Sequence, residues 1–199
     1  MAIKSFTRST IENNIFYRSM LAGNTAFSPS SEDILAEEVL TSSQASVIFS
    51  SLGDYATAGY QHLQLRMVVR TDRANTGDIL GMTFNSDTTD ANYAYHGLSG
   101  SGSSVSSWGE ALRPYAATYI NAGSEPANAF SGVVTDLLDP FDTSKYLTAR
   151  SFFSGAYDRQ VVLSSLLWEN TNSLTTITIA PIIGANWVSG SRFTLIGLK

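Results

Sequence analysis

The clearest signal in the chain is alternation. Leu63, Leu65, Met67 and Val69 are apolar, while His62, Gln64, Arg66 and Arg70 take the intervening positions. A period of two describes a strand with one buried and one wetted face, and only Val68 spoils the outer side. From about residue 33 onward such segments recur. Ala45–Phe49 is short and β-branched, Ile79–Phe84 follows a turn-rich stretch, and Asn92–Leu98, Tyr115–Ile120 and Gly132–Leu138 come next. Thr148–Phe153, Gln160–Trp168, Leu174–Ala180 and Arg192–Leu198 complete the series. Clusters of Gly, Asn, Asp and Ser separate them, supplying positive φ or turns closed by side chains. A parallel α/β fold needs helices of about ten residues or more between its strands. The chain offers nothing beyond a helical turn at Asp136–Pro140 after residue 40. The pattern therefore predicts an all-β fold, an antiparallel β-sandwich or jelly roll over residues 31–199 with an N-terminal extension.

Residues 1–30 follow another pattern. Ile11, Ile15, Phe16, Met20 and Leu21 line one helical face before Gly23-Asn24 interrupts it, and Pro29 sits in a Ser-rich linker. Two readings are open: a first strand of the core, or an arm whose Ile15, Phe16, Met20 and Leu21 anchor it on another chain. Farther on, Ser99–Ser107 and Asn121–Asn128 read as long polar loops, which in a compact domain are functional or mobile.

Composition narrows the chemistry. Of 199 residues 43% are hydrophobic and 15% charged, a balance that argues against disorder. The net charge of −5 provides no basic field for phosphates, so nucleic acid is not an expected partner. Without cysteine there can be no disulfide, thiolate metal site or cysteine nucleophile, and two histidines are too few for a multi-histidine metal centre. No apolar run approaches the roughly 20 residues of a membrane helix. Residues 1–8 lead into Glu12-Asn13-Asn14 and not into the apolar core of a secretory leader.

Candidate sites are few. Gly100-Ser101-Gly102 lacks the lysine and the βαβ setting of a phosphate loop, and serines abound without a nucleophile elbow. Glu110, Glu169 and Asp158 are carboxylates from which a glycosidase pair could be drawn. Asn85–Asn92 crowds oxygen ligands into one turn, so Asp87 and Asp90 could hold calcium, although Asp and Asn also favour turns for conformational reasons. Tyr93, Tyr95, His96 and Trp108 gather aromatic rings beside polar loops, a composition suited to stacking on sugars. Since Tyr93 and Tyr95 share one face, they also read as half-buried sheet residues, and Arg66 and Arg70 read as a solvated stripe. Asp87, Asp90, Tyr93, Tyr95, His96 and Trp108 are thus the candidate glycan-binding or partner-binding residues, with no catalytic residue and no cofactor assigned beyond the possible calcium.

Four stretches carry a wider resemblance: Tyr17–Phe27; Tyr60–Arg66 with Arg70-Thr71-Asp72 and Phe84-Asn85-Ser86-Asp87; Asp139–Tyr146 with Arg150-Ser151; and Leu167–Thr171 with Ile177-Thr178-Ile179 and Phe193–Lys199. In this order the chain resembles a family of tailed-phage virion structural proteins, common among phages of marine and freshwater bacteria including cyanobacteria. The resemblance implies a non-enzymatic β-sandwich module on the particle exterior, as a capsid decoration or a tail-fibre or baseplate appendage. It implies docking to other virion proteins, self-association with a trimer favoured, and synthesis in the host cytoplasm. Many relatives are longer, multi-module fibres, so a chain of 199 residues fits a decoration or adaptor better than a full fibre. A host-receptor module that binds surface glycans is the alternative, and a glycan-degrading enzyme a third reading.

Overall fold

The computed structural model describes residues 31–155 and 160–199. The anchor assigned to Ile15, Phe16, Met20 and Leu21 therefore lies outside the described residues, as does Asp158. Among the described residues twelve strands form two antiparallel sheets. They are β1 (Glu32–Val39), β2 (Val47–Phe49), β3 (His62–Val69), β4 (Gly77–Phe84), β5 (Tyr93–Ser101) and β6 (Ser104–Ala111). The rest are β7 (Ala116–Asn121), β8 (Ser131–Leu138), β9 (Leu147–Gly155), β10 (Gln160–Trp168), β11 (Ile177–Pro181) and β12 (Arg192–Leu198). One sheet has eight strands in the order β1-β12-β3-β8-β9-β10-β5-β6, and the other has four, β2-β11-β4-β7. The fold is an all-β sandwich, as the alternation predicts.

Five strands of the large sheet, β3, β8, β9, β10 and β5, each bury one parity of their residues. On β3 these are Leu63, Leu65, Met67 and Val69, each at most 2% exposed. β9 contributes Ala149 and Phe153 to the same layer, and β10 contributes Val162, Leu166 and Trp168. Full burial of one such aliphatic or aromatic side chain is worth about 1.5–3 kcal/mol, so register is strongly specified here: a slip by one residue would turn the whole set outward. The small sheet answers with Leu80, Met82, Phe84, Ile177 and Ile179. A hydroxyl pair, Thr118 Oγ1 and Ser164 Oγ at 3.1 Å, links β7 to β10 across the buried layer.

Three expectations need correction. The Ser99–Ser107 segment is not a long loop: β5 runs to Ser101, Gly102 (φ 57°) opens a two-residue turn, and β6 returns antiparallel from Ser104. Serine hid the strand because an edge strand without an apolar face has no period to read. The helical turn expected at Asp136–Pro140 is the end of β8 followed by a bend at Asp139 (φ 47°). Arg70 is not part of a solvated stripe. It is 9% exposed, and its guanidinium donates to the carbonyls of Ala122, Gly123, Glu125 and Ala127 at 2.6–3.3 Å, ordering the Asn121–Asn128 connection from within. A one-turn helix, α1 (Gly53–Thr57), was not expected from the sequence. Among the described residues no helix is long and apolar enough to cross a membrane.

Candidate functional site

Six sequence-derived candidates separate into different places. Asp87 and Tyr93 belong to a structural knot at the β4–β5 connection. Asp87 Oδ2 accepts from Asn92 Nδ2 at 2.7 Å and Trp168 Nε1 at 2.8 Å, and Oδ1 accepts from the Thr89 amide at 2.9 Å. Partial burial works to raise this carboxyl, but the donors from Asn92, Trp168 and Thr89 outweigh it and hold the group well below the ordinary carboxylate range. Tyr93 is buried, accepts from the Phe84 amide at 3.0 Å and donates to the Asp87 carbonyl at 2.9 Å. Both Asp87 oxygens are engaged by neutral donors, Asp90 is exposed on the following turn, and among the described residues no three His, Asp or Glu side chains gather as metal ligands. Hydrogen bonds to the Asp87 carboxylate close this turn.

Tyr95 is buried on the inner face of β5. The indole of Trp108 lies over Gly97, its register partner, and packs against the core. Sugar stacking through the two tyrosines is therefore corrected to core packing, and Trp108 supports the sheet from its inner side. The neighbouring register pair is reversed: the His96 ring lies over Gly109, on the opposite, outer face. In both pairs the missing Cβ of the glycine makes room for a ring to lie flat across the strand. Of the six, His96 and Trp108 line the principal groove, His96 with its side chain on the outer face.

That groove, about 1010 Å³, runs over the outer face of the large sheet from β6 to β8. Register aligns its residues in two rows across the strands. Leu98, Leu163, Phe152 and Val134 stand opposite one another on β5, β10, β9 and β8. Beside them run His96, Ser165, Arg150 and Asp136, and Gln64 of β3 continues the row. Directly opposed side chains are about 4.5–5.5 Å apart, so each row is a contiguous stripe. The first row is apolar yet open to water: Leu98 is 50%, Phe152 46% and Leu163 55% exposed. The second is a line of planar polar groups. Arg150 Nε donates to Asp136 Oδ2 at 2.9 Å, and Gln64 Nε2 to Asp136 Oδ1 at 2.6 Å. Arg66 Nε donates to Gln64 Oε1 at 2.6 Å and its terminal nitrogen to Glu32 Oε2 at 3.0 Å. Burial acts to raise Asp136, but the bonds from Gln64 and Arg150 prevail and keep it ionised.

Sequence reasoning missed Arg150, Asp136, Phe152 and Leu163. A signal was present in Phe152-Phe153 and Val161-Val162, because on a strand two adjacent apolar residues cannot both face the core. Among the carboxylates weighed for glycoside hydrolysis, Glu110 is paired with Arg113 at 2.9 Å and Glu169 is exposed beyond the end of β10. Asp136 is the carboxylate that lines the groove.

No family model and no curated protein matches the chain. Solved structures similar to it include the CBM40 of the Ruminococcus gnavus IT-sialidase bound to alpha2,3 sialyllactose, at 13% identity over 82% of this chain and 91% of that one, with a TM-score of 0.35. The same CBM40 bound to alpha2,6 sialyllactose is similar at 12% identity, over 82% of this chain and 92% of that one, again with a TM-score of 0.35.

Proposed function

We propose that this domain is a non-catalytic module that binds a glycan on the outer face of its eight-stranded sheet. The observation that carries this reading is the apolar row centred on Phe152, water-exposed and lying beside the polar row of Arg150, Asp136, Ser165 and His96. A sugar ring has an apolar face of C–H groups and a rim of hydroxyls. Phe152 and Leu163 suit the first, while the carboxylate and guanidinium suit the second by accepting and donating hydrogen bonds. Asp136 is the single carboxylate among the described residues lining the groove, whereas glycoside hydrolysis ordinarily uses a pair, which favours binding over hydrolysis. The resemblance to tailed-phage virion proteins supplies the setting: displayed on a particle exterior, the face would meet glycans of a host surface.

A glycan array probed with the full chain tests the function. We expect retention of at least one glycan class and a loss of about tenfold or more in affinity for Phe152→Ala and for Arg150→Ala, both with unchanged circular dichroism. An array with no retained glycan, or a Phe152→Ala variant that binds as the parent does, would overturn it.

A further inference from the structure

The outer face does not stop at the principal groove. A second depression of about 370 Å³ shares Val134 and Phe152 with it, and a third of about 270 Å³ shares Arg66 and Thr194 with the second. Register explains the continuity. Past Val134, the apolar row continues to Arg66 on β3, Thr194 on β12 and Glu37 on β1, each directly opposite the last. One trough thus crosses all eight strands at right angles, over seven spacings of about 4.8 Å, or roughly 34 Å.

Its charges cancel in place. Arg150 pairs with Asp136 at 2.9 Å and Arg66 with Glu32 at 3.0 Å, while Arg192 lies 4.0 Å from Glu37. Asp33, which lines the third depression, is matched by Lys199 at 3.7 Å, so with four cations against four anions the face presents neither a positive trough for a polyanion nor a negative one for a polycation. An uncharged chain of hydroxylated rings is the electrostatic match: it can exchange hydrogen bonds with planar polar groups of both kinds and demands no net counter-charge.

Building on the glycan-binding reading, we infer that the ligand is a linear, uncharged oligosaccharide lying across the strands and occupying several consecutive subsites, not a single terminal sugar. The strand spacing is close to the length of one pyranose unit, so successive rings would meet successive strands. The β5–β9 end offers the apolar platform and the β3–β1 end mainly hydrogen bonds, so the contribution per unit falls toward Glu37.

Calorimetric titration of the full chain with cello-, xylo- and manno-oligosaccharides, from disaccharide to octasaccharide, tests this, with polygalacturonate as the anionic arm. For the series that binds, the affinity should rise about tenfold or more from disaccharide to hexasaccharide and then level off. Arg66→Ala combined with Thr194→Val should abolish that rise yet leave disaccharide binding intact, and added salt should change little. Equal affinity for disaccharide and octasaccharide, or preference for polygalacturonate, would overturn this inference alone. Failure of every glycan, on the array as well, would remove the underlying function too.

Discussion

Trp168 at the end of β10 donates its indole N–H to Asp87 at 2.8 Å, joining two residues 81 positions apart and tying the turn after β4 to the large sheet. Trp168 is 1% exposed and its ring lies 5.7 Å from that of Phe84, so its N–H has no water to fall back on. Asp87→Ala should therefore cost on the order of 2 kcal/mol in urea unfolding, chiefly through the unpaired indole and Asn92 amide.

The same carboxylate sets an acid response. Its pKa in the folded state lies below that of the unfolded chain, so its contribution to stability is complete above roughly pH 4 and is lost as pH falls further toward the folded value. Asp72 behaves alike: burial works to raise it, but bonds from Asn186 and the Ala185 amide prevail and lower it. Unfolding midpoints measured from pH 6 down to about 2.5 should fall for the parent and fall less steeply for Asp87→Asn. Parallel profiles would show that this group does not titrate with folding.

Arg70 fills a role that lysine cannot. Its fork reaches four carbonyls on one connection, whereas an ammonium offers a single point of charge. Arg70→Lys should lower stability by about 2 kcal/mol and Arg70→Ala by about 3 kcal/mol or more. Hydrogen exchange of the Gly123–Ala129 amides should rise in both, with the outer-face groove undisturbed.

Thr118 and Ser164 permit a cleaner measurement. Removing one hydroxyl from this buried pair strands the other, so Thr118→Val or Ser164→Ala alone should cost about 1–2 kcal/mol. The double substitution should cost less than the sum of the two, with a coupling of about 0.5 kcal/mol or more. Strict additivity would mean that the contact between the sheets contributes nothing.

Gly97→Ala examines the ring packed over the glycine. A Cβ there would overlap the Trp108 indole, forcing the ring off the inner face of β5 at a cost of about 1–3 kcal/mol. Trp108 fluorescence should shift to the red as the ring becomes wetter. An unshifted spectrum with unchanged stability would show that the strand yields instead.

Two short polar stretches, Arg70-Thr71-Asp72 and Asn85-Ser86-Asp87, close connections between strands. Arg70-Thr71-Asp72 illustrates this: Arg70 holds the connection after β7, Thr71 donates to buried Asp78 at 2.8 Å, and Asp72 accepts from the Ala185 and Asn186 amides at 2.9 Å. Asn85 does the same, accepting from the Thr175 amide at 2.7 Å and donating to the Ser173 carbonyl at 2.9 Å. Such residues mark the fold through local backbone chemistry and say little about a ligand.

The sequence alone determined the strands that bury an apolar parity, because Leu63, Leu65 and Met67 on β3, or the inward positions of β9 and β10, follow a period set by the pleat itself. It was silent on β6, whose exposed serines have no period, and ambiguous on Tyr93, Tyr95 and Trp108, whose rings suited either a core or a ligand. Only tertiary structure decided which side of the sheet each ring took and set Phe152 opposite Leu163 and Arg150 opposite Asp136. The reason is physical: alternation is written between neighbours in the chain, whereas a row across the strands is assembled from residues far apart in sequence, and its register comes from packing the opposite face.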